Sequence, residues 1–307
     1  MKFDRNDKGL YLIFLLILGV FGNMAGQTFD KFRFAVTQGG YPFLPMTKDL
    51  NGNIFVASNA WGPLYIDYLG YSTSYANDYD IIVKFNSDMQ VVWLKQLQCD
   101  ASFGTDQFNC IATDEDGNLY VGVGLSGSDL SIDQDTSLNI ATVYHILKFN
   151  SAGKFIQIKP YNGPFSFVCI KNSLYVSSEH FVEKLDQNLN QVWMKSIDAC
   201  VTFSEHPYFQ NISYNNSAEL CLNGIENTNF CGTPIHFDTV QAILSPGLAN
   251  EVVTIKMDTN GIAFWMKAWG GLTNAQKQVV ESAIGDDGTI YIAIEDIGIN
   301  IFGSDTM

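Results

Sequence analysis

The sequence contains very little arginine. Arg5 and Arg33 are its only arginines, and lysine and arginine together number 17 against 32 acidic residues. Nucleic acids and anionic membranes are normally bound through clustered arginine and lysine. The formal net charge of −15 therefore indicates a protein that binds neither nucleic acid nor an acidic membrane surface. We interpret the acidity as a contribution to solubility outside a cell.

Motifs of familiar catalytic and metal sites are also missing. The sequence has no G-x-S-x-G turn, and its four histidines show neither H-x-H nor H-E-x-x-H spacing. We predict no catalytic residue, no bound cofactor and no metal site with a defined motif. One acidic turn, with Asp114, Asp116 and Asn118, offers oxygen ligands that suit calcium, although the full calcium-loop pattern is absent.

Long apolar runs are limited to one, at residues 9–22 (GLYLIFLLILGVFG). Basic residues precede it and small residues follow it, which is the order of a secretory signal peptide, here residues 1–27. The run is shorter than the roughly 20 residues that span a bilayer. An uncleaved N-terminal membrane anchor is the alternative. No membrane span is expected after cleavage of the leader, and the protein is predicted to be secreted or attached to the cell surface.

A pattern of twelve residues occurs four times without gaps. Its copies are KFNSDMQVVWLK (84–95), KFNSAGKFIQIK (148–159), KLDQNLNQVWMK (184–195) and KMDTNGIAFWMK (256–267). Each copy begins with a lysine: Lys84, Lys148, Lys184 and Lys256. The position two before the last lysine holds Trp93, Trp193 and Trp265, with Gln157 as the exception. An apolar strand, a polar turn and a second strand predict a β-hairpin in every copy.

A second turn-and-strand pattern lies upstream of these hairpins. Its copies are NGNIFVA (51–57), DGNLYVG (116–122), KNSLYVS (171–177), SAELCLN (217–223) and DGTIYIA (287–293). A further short strand precedes each turn, so one repeat contains four strands. We call them, in chain order, the pre-turn, Tyr-Val, Lys-Phe and Trp strands.

The repeats predict an all-β fold, a β-propeller of four-stranded antiparallel blades over residues 28–307. Neighbouring small sheets must pack on one another to bury their apolar faces, and radial stacking achieves this. Four repeats are complete. A half repeat precedes them, because FRFAVTQGG (32–40) matches the end of a repeat, and the fifth stops at Met307 before its Lys-Phe strand. We expect a piece of a longer propeller rather than a closed ring.

These motifs resemble the SBBP repeat family, named for a seven-bladed β-propeller, and more distantly the repeats of quinoprotein propellers. The resemblance covers residues 30–307 and implies a propeller fold and export. It implies little about activity, because propellers support many unrelated functions.

The repeated tryptophans are expected to pack between neighbouring sheets rather than stack on a ligand. Cys110 and Cys169 occupy one repeat position in the pre-turn strand, which favours buried packing. Export would permit disulfides, and the candidate pairs are Cys221–Cys231 and Cys99–Cys110.

Three long loops join Tyr-Val strands to Lys-Phe strands. They are Ser58–Asp80, Leu125–Val143 and Asn223–Glu251. Loops on a rigid scaffold commonly carry recognition, so the sequence favours a binding, adhesion or scaffold module for a protein or polysaccharide ligand. An extracellular polysaccharide-acting hydrolase or lyase with its site in the propeller funnel stays open, because carboxylate pairs leave no fixed spacing in sequence.

Overall fold

A computed structural model describes sixteen segments of the chain, and every regular element in them is a β-strand. The segments are 11–12, 35–37, 45–60, 65–66, 71–72, 79–99, 107–125, 128–133, 136–140, 144–161, 165–178, 181–197, 208–226, 235–243, 251–269 and 277–296. No helix of sufficient length and apolarity to cross a membrane occurs in these segments. The chain divides into two units, Met1–Thr113 with Gly117–Pro160 and Asp114–Asp116 with Tyr161–Met307.

The strands of the first unit begin with short pairs and continue with the first two repeats. They are β1 (Tyr11–Leu12), β2 (Ala35–Thr37), β3 (Met46–Lys48), β4 (Ile54–Ala60), β5 (Tyr65–Ile66), β6 (Tyr71–Ser72), β7 (Tyr79–Phe85), β8 (Val91–Cys99), β9 (Gln107–Thr113), β10 (Leu119–Gly124), β11 (Asp129–Ile132), β12 (Thr136–Asn139), β13 (Tyr144–Phe149) and β14 (Phe155–Tyr161).

The strands of the second unit form the third and fourth repeats and the start of a fifth. They are β15 (Phe165–Ile170), β16 (Ser173–Ser178), β17 (Phe181–Leu185), β18 (Gln191–Ser196), β19 (Tyr208–Tyr214), β20 (Glu219–Glu226), β21 (Ile235–Phe237), β22 (Val240–Ala242), β23 (Glu251–Asp258), β24 (Ala263–Trp269), β25 (Lys277–Ile284) and β26 (Ile290–Asp296).

Each complete repeat forms the four-stranded antiparallel sheet that its motifs predict. The first repeat orders its strands β8-β7-β4-β3 and the second β14-β13-β10-β9. The third repeat forms β15-β16-β17-β18 and the fourth β19-β20-β23-β24, while β25 and β26 form a two-stranded sheet. The predicted fold class, all-β with repeated four-stranded antiparallel sheets, is confirmed.

In each unit a large apolar cluster lies between consecutive sheets, and in the first unit a smaller cluster around Val56 and Val83 belongs to the first sheet alone. In the first unit, Phe55 and Ile82 of the first repeat share a buried cluster with Leu119 and Leu147 of the second. In the second unit, Tyr175 of the third repeat is buried in one cluster with Ile255 of the fourth. This packing is the burial that a single small sheet cannot achieve by itself.

The turn between the Lys-Phe and Trp strands has the same geometry in all four repeats. An Asn or Asp side chain opens the turn and accepts hydrogen bonds from the backbone N–H groups two and four residues later. The residue at the fourth position adopts a positive φ: Met89, Gly153, Leu189 or Gly261. These Asx turns explain why the K-Φ-[ND] motif recurs, since the acceptor side chain fixes the reversal.

The predicted leader, residues 1–27, lies outside the described segments except for β1. Tyr11 and Leu12 pair there with Thr37 and Val36 of β2. Cleavage of the leader and its membrane-anchor alternative stay predictions, as does the extent of the domain, 28–307.

Candidate functional site

The repeated lysine lies over an aromatic ring of the neighbouring strand. Lys84, Lys148 and Lys184 pair directly with Phe55, Tyr120 and Tyr175 of their Tyr-Val strands. Their ammonium nitrogens lie 5.0, 5.0 and 5.3 Å from the ring centroids. This geometry allows a cation–π attraction while the alkyl stem covers the sheet.

The repeated tryptophan packs against the turn of the following repeat. A Cβ placed on Gly153 would lie 2.9 Å from the Trp93 ring, and one on Gly261 would lie 3.1 Å from the Trp193 ring. Trp265 packs beside Ile284 and Ile290 of the two strands that follow it. The expected structural role of the three tryptophans agrees with these contacts within each unit.

Polar contacts reinforce this packing in the first unit. Lys84 Nζ donates a hydrogen bond of 3.0 Å to the Ser151 carbonyl, and Trp93 Nε1 donates one of 3.3 Å to the same oxygen. Lys84 Nζ also lies 3.8 Å from a carboxylate oxygen of Asp49. The Asp49 carboxylate accepts further bonds from Asn51 and Asn53, so its buried charge is well solvated by the protein.

The fourth repeat replaces the aromatic ring with a thiol. Cys221 lies opposite Lys256, and burial raises the pKa of its thiol to about 11. Lys256 Nζ contacts a Glu219 carboxylate oxygen at 3.0 Å. Burial opposes ionisation of Glu219, but hydrogen bonds from Asn215 and Lys256 outweigh it and lower its pKa. The lysine thus keeps a partner, a carboxylate in place of a ring.

The long loops offer a different kind of surface, because all three contain short strands. In the first unit, β11 and β12 form a hairpin, and β11 pairs with the Trp strand β8 of the preceding repeat. Lys95 forms an ion pair with Asp133 at the end of β11, and the Gln96 backbone N–H donates to the same carboxylate at 2.9 Å. The hairpin is therefore fixed to the outer edge of the first sheet.

The loop of the fourth repeat contains a hairpin that is anchored by an equivalent ion pair. Strands β21 and β22 form a hairpin whose Asp238 lies 2.9 Å from Lys195 Nζ on the Trp strand β18. The hydrogen bond from Lys195, with help from the Ala263 and Thr239 backbone, lowers the pKa of Asp238. Asp133 and Asp238 both adopt a positive φ, near 51° and 55°. Equivalent lysines therefore anchor two loops of unrelated sequence.

The loop of the first repeat also contains a hairpin that is attached to a neighbouring strand. Strands β5 and β6, within the Ser58–Asp80 loop, form a hairpin, and β5 pairs with β2. Strand β2 occupies the Trp-strand position of the half repeat that precedes the first complete one. Other parts of the three loops lie outside the described segments.

The two better described hairpins are apolar on one face and polar on the other. Leu130, Ile132, Ile235 and Phe237 are buried. The exposed positions carry polar side chains: Asp129, Ser137, Asn139, His236 and Gln241. The apolar face fixes the hairpin to the scaffold, so the polar face is presented to solvent in a defined conformation.

The candidate calcium residues differ in their surroundings. Asp114 is buried, Asp116 is exposed and Asn118 is half-buried. Within the described segments, no cluster of three or more His, Cys, Asp or Glu side chains could hold a metal ion. Calcium binding stays a prediction.

The predicted disulfides do not agree with the structure. Cys99 and Cys110 are separate thiols, because Cys99 pairs with Leu130 on β11 while Cys110 pairs with Gly122 in the sheet of the second repeat. Cys221 is also a thiol, buried and accepting a hydrogen bond from Asn223, which contradicts a Cys221–Cys231 bond. Cys231 itself lies outside the described segments. Cys110 and Cys169 are buried as expected.

Comparisons with known proteins leave the chain without a family. No protein-family model matches it, and no curated protein does. A protein of unknown function from Bacteroides caccae, at 12% identity and TM-score 0.38, covers 77% of this chain and 89% of its own. The WD40 domain of Pan2 from Neurospora crassa, at 8% identity and TM-score 0.37, covers 84% and 90%. Both similarities are too low to carry an argument, and membership of the SBBP family is not shown.

Proposed function

We propose that this chain is an exported binding module, secreted or held at the cell surface, whose repeats form propeller blades. Its ligand, a protein or a polysaccharide, is bound by the loop hairpins. The observation that carries this proposal is the anchoring of three otherwise dissimilar loops as hairpins on Trp strands or their equivalent. Rigid presentation lowers the ordering cost of binding, which is a property of recognition loops.

The contacts of the repeated lysines and tryptophans support the assignment of ligand binding to the loop hairpins rather than to the repeats. Their described contacts join strands and repeats, so they serve the scaffold. The polar faces of the hairpins are the surfaces we assign to the ligand, because their hydroxyl, amide and imidazole groups suit hydrogen bonding to sugars or to a peptide backbone. The signal-peptide pattern and the acidity are the support for export. No specific observation favours the hydrolase or lyase alternative.

Export is tested by expressing the full chain with its leader in a bacterial host and isolating the extracytoplasmic fraction. Mass spectrometry of the N-terminus is expected to show cleavage near residue 27. A chain found intact in the membrane fraction would support the anchor instead. A chain confined to the cytoplasm would overturn the export proposal.

Binding is tested on arrays of purified polysaccharides and of purified extracellular proteins. Ser137→Ala with Asn139→Ala is expected to weaken capture on the bound probe about tenfold, as for other contact residues of an interface. Asn188→Ala, an exposed turn substitution outside the hairpins, is the matched control. Equal capture by all variants would overturn the hairpin assignment, and release of reducing sugar ends from a bound polysaccharide would support the enzyme alternative.

A further inference from the structure

The solvent-facing side of the hairpin β11–β12 carries four small polar side chains in two directly opposed pairs. Asp129 lies opposite Asn139, and Ser131 lies opposite Ser137. Residues two apart on a strand share a face, so the four side chains lie together on one side of the hairpin. Asp129, Ser137 and Asn139 are exposed, and Ser131 is half-buried. This face is therefore a patch of carboxylate, amide and hydroxyl groups.

The polar patch is held in one conformation by the rest of the hairpin. Leu130 and Ile132, on the opposite face, are 0% and 3% exposed and belong to the large apolar cluster of the first unit. At the end away from the turn, the Ile140 backbone N–H donates a hydrogen bond of 2.7 Å to the Ser128 carbonyl. Because the polar groups are positioned before a ligand arrives, binding requires little ordering of the protein.

The groups of the patch match the hydroxyls of a sugar. Carboxylate and amide oxygens accept hydrogen bonds, the amide nitrogen donates them, and a serine hydroxyl does both. Asn139 Nδ2 donates to Asp129 Oδ1 at 3.5 Å, and an ionised carboxylate can accept several hydrogen bonds at once. Two hydroxyls on adjacent carbons of a sugar ring, a vicinal diol, present two donors side by side. One carboxylate can accept from both.

The composition of this loop favours an uncharged sugar over a protein. Residues 125–143 contain no aromatic residue and no arginine, whereas tryptophan, tyrosine and arginine supply most of the binding energy in protein interfaces. The same residues include no lysine and three aspartates: Asp129, Asp133 and Asp135. These charges repel an acidic polysaccharide. An uncharged polysaccharide is the ligand that fits both observations.

We propose that the polar face of β11–β12 binds an uncharged polysaccharide whose sugars carry vicinal diols. Asp129 accepts hydrogen bonds from the diol, Asn139 donates to a sugar oxygen, and the two serine hydroxyls extend the contact along the polymer. This inference rests on the proposed function and names the ligand class at one of its hairpins. Each contact replaces a hydrogen bond to water, so its net contribution is small and the affinity is modest.

The test is affinity electrophoresis of the full chain in gels that contain dextran, xyloglucan or galactomannan. These polymers are uncharged and differ in the orientation of their vicinal hydroxyls. At least one is expected to retard the chain, with a Kd of about 1 mM in sugar units. The same polymer, after its diols are cleaved with periodate and the aldehydes reduced with borohydride, is expected to bind about tenfold more weakly. Polygalacturonate, which keeps diols but is acidic, is expected to be weaker by about the same factor.

Substitutions in the chain locate the site. Asp129→Ala and Asn139→Ala are each expected to weaken binding of the retarding polymer about tenfold. Asp88→Ala, which removes the same charge from an exposed turn of the same unit, is expected to leave retardation unchanged. Urea unfolding is expected to give nearly the same midpoint for the three variants, because each truncates an exposed side chain.

The inference and the proposed function fail on different results. If none of the polysaccharides retards the chain while an extracellular protein is captured through Ser137 and Asn139, the ligand class is wrong and the binding module is supported. Equal retardation of Asp129→Ala, Asn139→Ala and the unsubstituted chain would overturn the site. Preference for polygalacturonate, or undiminished binding after diol cleavage, would overturn the ligand chemistry.

Discussion

The two units solve the same packing problem with different polar contacts. In the first unit, Trp93 packs on Gly153 and donates to the Ser151 carbonyl, which also accepts from Lys84. In the second unit, Trp193 packs on Gly261, but its buried Nε1 has no hydrogen-bond partner in the described structure. Packing of a tryptophan ring on a turn glycine is therefore common to both units. The hydrogen bonds to the carbonyl of the same turn are described in the first unit.

The largest expected effect tests the packing of a tryptophan ring on a turn glycine. Gly153 and Gly52 both have a φ of 81°, but an added Cβ lies 2.9 Å from Trp93 at Gly153 and no closer than 3.7 Å to any atom at Gly52. Gly52→Ala is expected to cost about 1–2 kcal/mol for the backbone strain alone. Gly153→Ala should cost roughly 2–4 kcal/mol, because crowding of the ring adds to that strain.

The free energy of unfolding in urea measures both variants. An added Cβ at Gly261 lies 3.1 Å from the Trp193 ring, slightly farther than at Gly153. The loss of stability in Gly261→Ala is therefore expected to lie between those of Gly52→Ala and Gly153→Ala. Equal losses at Gly52 and Gly153 would show that the ring contact adds nothing.

The next effect is a difference in stability loss between two of the repeated lysines, Lys84 and Lys184. Lys84→Met removes a hydrogen bond to Ser151 and leaves the buried Asp49 carboxylate without its nearby cation, at an expected cost of about 1–3 kcal/mol. Lys184→Met removes a cation from the Tyr175 ring and should cost about 0.5–1 kcal/mol. Thermal or urea unfolding compares the two, and a larger loss at Lys184 would contradict the ranking.

A smaller difference is expected between the two tryptophans. Phenylalanine keeps most of the ring area but cannot donate a hydrogen bond. Trp93→Phe should be more destabilising than Trp193→Phe by about 1 kcal/mol, because only Trp93 loses a hydrogen bond. Urea unfolding followed by circular dichroism avoids the change in tryptophan fluorescence. Equal losses would mean that the Ser151 bond contributes no net stability.

The smallest effect concerns the hairpin anchor of the second unit. Lys195 lowers the pKa of Asp238 below its ordinary value of 3.8. The ion pair therefore stabilises the fold above that value, and its contribution is lost as the pH falls through the lower, folded-state pKa. Lys195→Met should lose a few tenths of a kcal/mol at pH 7, because the pair is partly exposed.

The same variant should also show a shallower loss of stability between about pH 5 and pH 2. Lys195→Arg, which keeps the charge, is the control. An acid limb unchanged by Lys195→Met would contradict the anchor.

Sequence reasoning was most successful where the signal was local and repeated. The Asx turns and strand order follow from motifs such as Lys148-Phe149-Asn150, because a turn is determined by a few adjacent residues. The loop hairpins were missed, although Leu130, Ile132, Leu138 and Ile140 alternate as a paired strand would.

The anchoring of Asp133 on Lys95 was beyond prediction, because it joins residues of different repeats. The disulfide predictions assumed that cysteines on either side of a loop are close in space, whereas Cys99 and Cys110 lie in different sheets and Cys221 is a buried thiol.

The contact of a tryptophan with the next turn has a consequence for how such a chain can evolve. Trp93 precedes the turn with Gly153, and Trp193 precedes the turn with Gly261. The repeat with Gln157 is followed instead by a turn with Leu189, whose positive φ is tolerated without glycine. A repeat with the tryptophan therefore fits best before a repeat whose turn has glycine at the contact position. We expect duplication or exchange of adjacent pairs of repeats to disturb this packing less than exchange of a single repeat.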